Sequence, residues 1–78
     1  MKNRRTEKEI VENAGPIAIF VRKKRKELGY TQSILAERSG VGTRFLKELE
    51  LGKETIRLDK AMQVVEFLGG QLRIEEKE

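Results

Sequence analysis

The stretch T-Q-S-I-L-A-E-R-S-G-V-G-T-R-F-L-K-E-L-E-L-G-K, residues 31–53, decides how this chain is read. Thr31 carries a hydroxyl that can accept from the backbone N–H groups of a first turn, which marks it as the cap of a short helix with Leu35 and Ala36 on its apolar face. Gly40 offers the left-handed conformation that closes such a helix, and Val41 is the apolar plug of the tight turn it begins. A second short helix is predicted over residues 43–51, with Phe45, Leu46 and Leu49 inward and Thr43, Arg44, Lys47 and Glu48 outward. Gly52 stops it. Gly42 supplies no side-chain cap to this second helix, and Ile34 stands where an acidic residue would complete a capping box, so both helices depend on packing for their stability.

Outward from this core, Pro16 can occupy the first position of a preceding helix, where its missing N–H costs nothing. That helix is predicted over 16–28 with Ile17, Phe20, Val21 and Leu28 as its inner stripe, and Gly29 ends it. Downstream, residues 58–68 read as a further helix facing inward with Leu58, Ala61, Met62, Val65 and Leu68, ended by Gly69 and Gly70. Residues 71–75 alternate Gln, Leu, Arg, Ile, Glu, the period of a half-buried strand. A lone strand leaves its backbone groups unpaired, so Leu72 and Ile74 are expected to pair with a second copy, the alternatives being a strand of another protein or a frayed tail. The chain divides into a polar segment at 1–15, either a short helix or disordered, a helical domain at 16–70, and a strand and tail at 71–78.

Composition narrows the chemistry. Seventy-eight residues with 37% hydrophobic content close one modest core, and cores this small lean on disulfides, metals or self-association. With no cysteine and no histidine, self-association is what remains. The same absence removes the ordinary triad, zinc site and thiol nucleophile, so an enzyme is not expected and no cofactor or metal is implied. Apolar runs fall short of a membrane span and no secretory h-region is evident, so a cytoplasmic protein without membrane contact is expected. The formal charge is +4 with a pI near 9.6, and it is unevenly placed. Residues 16–52 hold eight basic and four acidic groups, whereas 53–78 hold five and six. A basic footprint of this kind fits a polyanion, although an ordinary solvated surface reads the same way.

Two short helices joined by Gly-Val-Gly, the second with a polar outer face, are the parts of a helix-turn-helix. The run at 31–53 resembles the XRE family of lambda- and 434-type repressors, whose pattern is T-Q-x-x-L-A-x-x-x-G-V-S, an aliphatic residue four places on, then E-x-G-K. The resemblance implies an all-α bundle of four to five helices whose second motif helix enters the major groove of duplex DNA. It also implies Gln32 and Lys53 as phosphate contacts and an arginine–glutamate scaffold pair, here Arg25 and Glu50. Arg44, on the first turn of the reading helix, is suited to fork onto guanine. Thr43 suits a phosphate or a thymine methyl, Lys47 a base or the backbone, and Glu48 a cytosine amine or the exclusion of wrong sequences. For Lys47 and Glu48 a solvated helix pair is an equal alternative.

Residues 52–69 further resemble the HipB antitoxin branch, which adds a C-terminal strand paired across a dimer and binds both operator DNA and a HipA-like kinase toxin. That resemblance implies a repressor acting on an inverted repeat in its own promoter, with a kinase as a second partner. The alternatives are a stand-alone repressor and an interaction module that chiefly neutralises its partner.

Overall fold

A computed structural model describes residues 15–77, and the expectation of a short helix or disorder at residues 1–14 lies outside them. Four helices follow one another: α1 (Gly15–Glu27), α2 (Gln32–Ser39), α3 (Thr43–Glu50) and α4 (Leu58–Phe67). The described residues contain no strand, so the architecture is an all-α bundle.

Each helix closes in the same way. The N–H groups of the two residues beyond its end turn back onto carbonyls of the last turn: Gly29 and Tyr30 onto Lys26 and Arg25, Gly40 and Val41 onto Glu37 and Ala36. Gly52 and Lys53 do this onto Leu49 and Glu48, and Gly69 and Gly70 onto Glu66 and Val65. These paired bonds satisfy orphan carbonyls and need a left-handed residue at the closing position. At Gly40, φ is 84°, and the space a side chain would need is also taken. A Cβ there would lie 2.7 Å from the Gln63 amide nitrogen. That amide donates to the Ser39 carbonyl at 2.6 Å, latching α4 to the end of α2.

At its other end α2 is capped by Thr31, whose hydroxyl oxygen accepts from the Ile34 N–H at 3.1 Å. Gly42 begins α3 with extended backbone and no side-chain cap. Helix α3 is therefore held by burial: Leu46 and Leu49 join Val21, Leu35, Ala36, Val41, Ala61, Val64 and Val65 in one core. Ile17, Phe20, Tyr30, Phe45, Ile56, Leu68 and Leu72 pack around it. Ala36 is fully buried, and its small side chain lets two helices approach closely.

Three expectations are corrected. Leu28 is exposed because the helix ends at Glu27 and Leu28 belongs to the closing turn. On α4 the buried side chains are Ala61, Val64 and Val65, not the stripe that includes Leu58 and Met62. Both of those are exposed, since the Gln63–Ser39 latch and the core contacts rotate the helix to bring Val64 inward. Finally, residues 71–77 form no strand. Leu72 is half-buried against the core of its own chain, while Ile74 is fully exposed. Gly70 makes that route passable, because a Cβ there would sit 2.7 Å from the Phe20 ring.

Candidate functional site

The end of α1, the start of α2 and the end of α3 meet at one buried carboxylate. Glu50 is 1% exposed and receives both arms of the Arg25 guanidinium, Nε to Oε2 at 2.7 Å and Nη2 to Oε1 at 3.0 Å. The third guanidinium nitrogen donates to the Tyr30 carbonyl at 2.9 Å. A forked pair of this geometry is the arrangement in which a buried charge pair is tolerable, since every polar atom has a partner. Among the described residues no buried side-chain nitrogen or oxygen lacks one.

Gln32 joins the same carboxylate. Its amide Nε2 donates to Glu50 Oε1 at 3.1 Å, so part of the donor capacity of the side chain expected to meet a phosphate is committed within the protein. The amide keeps its second N–H and its carbonyl oxygen, and the buried anion holds it at the first position of α2. The pair Arg25–Glu50 thus does more than join two helices: it aims a third side chain. That link was not legible in sequence, because Gln32 and Glu50 are brought together by the crossing of α2 over α3.

Along α3 the helical spacing divides the surface cleanly. Leu46 and Leu49 point into the core, and the opposite side carries Arg44, Lys47 and Glu48. Thr43 and Glu50 border that face on the flank nearest Gln32, and Phe45 borders it on the other. Arg44 is the most prominent of the set, with its side chain 93% exposed. Thr43 is half-buried and Lys47 exposed. Lys47 has no ion-pair partner among the described residues.

Glu48 lies between two cations. Its Oε2 is 3.6 Å from Arg44 Nε, and its Oε1 is 3.4 Å from Lys53 Nζ. Lys53 owes this position to the closing turn at Gly52, where the Lys53 N–H returns to the Glu48 carbonyl. The outer face of α3 and the residue beyond its end therefore form one charged ridge.

One further group borders this ridge, and a charge pair stands at the start of α4; sequence reasoning left both unassigned. Lys60, on the first turn of α4, places its ammonium 6.0 Å from the centre of the Phe45 ring, on the flank opposite Gln32. Arg57 forks onto Asp59 at 2.7 and 3.2 Å, and this hydrogen bond chiefly holds the Asp59 carboxyl below its usual range. Both lie beyond the motif, where a spacing pattern carries no signal.

No described helix is long and apolar enough to cross a membrane. A helix-turn-helix family model, HTH_3, matches residues 21–74. The chain is also 39% identical over 64 residues, 82% of its length and 84% of the relative's, to a protein named as an uncharacterized HTH-type transcriptional regulator, y4mF, from Sinorhizobium fredii (strain NBRC 101917 / NGR234).

Proposed function

We propose a specific mode of action for this chain, which belongs to the helix-turn-helix family of DNA-binding transcriptional regulators: it is a homodimeric repressor that reads an inverted repeat through α3. The observation that carries the reading is the exposed outer face of α3, with Arg44 on its first turn and Lys47 one turn on. A helix of this width fits the major groove, and an arginine near its N-terminus can fork onto guanine O6 and N7. Thr43 meets a phosphate or a thymine methyl, and Lys47 a base or the backbone. Gln32, steadied by Glu50, offers its second N–H to a phosphate on one flank, and Lys53 and Lys60 reach the backbone elsewhere.

Two copies would set their α3 helices about one helical turn, roughly 34 Å, apart. Support for self-association comes from the small core and from apolar side chains left outside it, Leu58, Met62 and Phe67 on α4 and Ile74 in the tail. The role is one of binding, not catalysis, in keeping with a chain that has neither histidine nor cysteine. The proposal extends to a cytoplasmic antitoxin that controls its own promoter and binds a HipA-like kinase. That extension is supported by the resemblance of residues 52–69 to the HipB branch.

Selection from a randomised duplex pool tests the central claim. The wild-type chain should recover a preferred two-fold sequence, and Arg44→Ala should bind it about 1–3 kcal/mol more weakly while relaxing preference at one base pair. Unchanged preference in Arg44→Ala would remove Arg44 as the reader. Absence of any salt-dependent duplex binding would remove the mode of action altogether. The kinase extension is checked by whether a kinase encoded beside this gene co-purifies with the chain.

A further inference from the structure

We infer that Glu48 is an internal counter-ion that holds Arg44 and Lys53 back from phosphates, and so limits how tightly the protein grips DNA of unrelated sequence. The inference rests on the DNA-reading function of α3 and adds a residue that sets its selectivity.

The geometry gives each carboxylate oxygen its own cation: Oε2 faces Arg44 at 3.6 Å and Oε1 faces Lys53 at 3.4 Å. The Glu48 side chain is only 32% exposed, against 93% for Arg44 and 47% for Lys53. The anion thus sits lower on the ridge than the charges it holds. A carboxylate so placed imitates a phosphate. It occupies two of the cations that a duplex backbone would otherwise attract, and it repels the backbone itself.

Competition for those cations depends on what the DNA offers. A duplex with guanine at the right position gives Arg44 a forked pair of acceptors, stronger than a single monodentate contact, and this draws it away from Glu48. A duplex of unrelated sequence gives it only phosphates, which must displace an anion already in contact. Lys47, with no such partner among the described residues, stays available for the sequence-independent attraction, alongside Gln32 and Lys60. Glu48 therefore taxes unspecific binding more than specific binding, which is how a repulsive element raises discrimination.

The test compares wild type and Glu48→Gln, which keeps the shape of the side chain and removes its charge. Each is titrated with the duplex that the wild type recovers from a randomised pool and with a scrambled duplex of the same length, across a range of salt concentrations. Glu48→Gln is expected to bind the scrambled duplex about three- to tenfold more tightly at low salt. It should gain less on the selected duplex, and show a salt dependence steeper by up to about 0.9 in log–log slope. Lys53→Ala should also cost more in the Glu48→Gln background than in wild type, because only there is the lysine fully available. A merely structural glutamate would produce neither the steeper slope nor this coupling.

Equal affinity of Glu48→Gln and wild type for the scrambled duplex would overturn the inference while leaving the DNA-reading function intact. Weaker binding of Glu48→Gln to the selected duplex alone would also overturn it, by identifying Glu48 as a base contact. Failure of the wild type to bind either duplex would overturn the inference together with the mode of action it rests on.

Discussion

Replacing Glu50 by alanine should strip two side chains of their partner at once. Arg25, with its side chain only 12% exposed, would keep one bond to the Tyr30 carbonyl and lose both bonds to the carboxylate. Gln32 would lose its anchor. Removing one member of a buried ion pair costs about 3–5 kcal/mol, mostly through the charge left behind. The surviving Arg25–Tyr30 bond and the slight exposure of Arg25 place this site at the lower end, about 3 kcal/mol. A domain of this size has roughly 4–12 kcal/mol of stability in all, so the loss is a large fraction. In urea, with a slope near 1 kcal/mol per molar, the midpoint should fall by about 3 M.

A double replacement separates charge from packing. Arg25→Met with Glu50→Leu fills the site with apolar groups and leaves no unpaired charge, and such swaps are often neutral for stability. The double variant should recover most of the lost midpoint, yet bind duplex DNA more weakly than wild type, because Gln32 is no longer held. A Glu50→Ala cost under about 1 kcal/mol, the range of an exposed pair, would refute the claim that this carboxylate is a buried junction. A double variant no more stable than the single one would refute the account of where the cost arises.

Three smaller perturbations probe other parts of the structure. Gly40→Ala should destabilise by about 1–2 kcal/mol from its left-handed backbone alone, with more from the Gln63 amide 2.7 Å from the new Cβ; thermal unfolding measures it. Gly42→Ser places a hydroxyl at the uncapped start of α3, where nothing lies within 4 Å of a new Cβ, and should raise stability by a few tenths of a kcal/mol, roughly the cap difference between the two residues. Arg57→Ala removes the hydrogen bond that chiefly keeps the Asp59 carboxyl low, so a carboxyl NMR titration should show its midpoint rising. The Lys60 N–H, which donates to Asp59 at 2.9 Å, should hold back a full return to the usual value. A lowered carboxyl stabilises the fold above its unfolded-state pKa and loses that effect as pH falls. Wild type should therefore be the more stable of the two above that pKa, and the gap to Arg57→Ala should close as pH falls through the acid range.

Much of this protein was legible before any coordinates, and the legible parts share a physical character. Helix ends at Gly29, Gly40, Gly52 and Gly69 follow from bonds that close within six residues, so their chemistry is local. The Thr31 cap and the missing cap at Gly42 are local in the same sense. The outer placement of Arg44 and Lys47 follows from helical period once Leu46 and Leu49 are taken as core. The pairing of Arg25 with Glu50 came from resemblance, since residues 25 positions apart announce no contact by themselves.

Tertiary structure decided what local period leaves open. The apolar residues of α4 allow more than one inward face, and only packing on α1 and α2, with Gln63 bound to Ser39, selects Val64 over Leu58 and Met62. Leu72 alternates with polar neighbours as a strand residue would, yet the gap beside Gly70 and Phe20 lets it turn back into its own core. Gln32 and Glu48 were legible as polar surface positions, but what each holds depends on where another segment ends: α3 brings Glu50 beneath Gln32, and its closing turn brings Lys53 to Glu48. Periodicity constrains which side of a helix is apolar; the angle at which helices cross determines which polar groups meet.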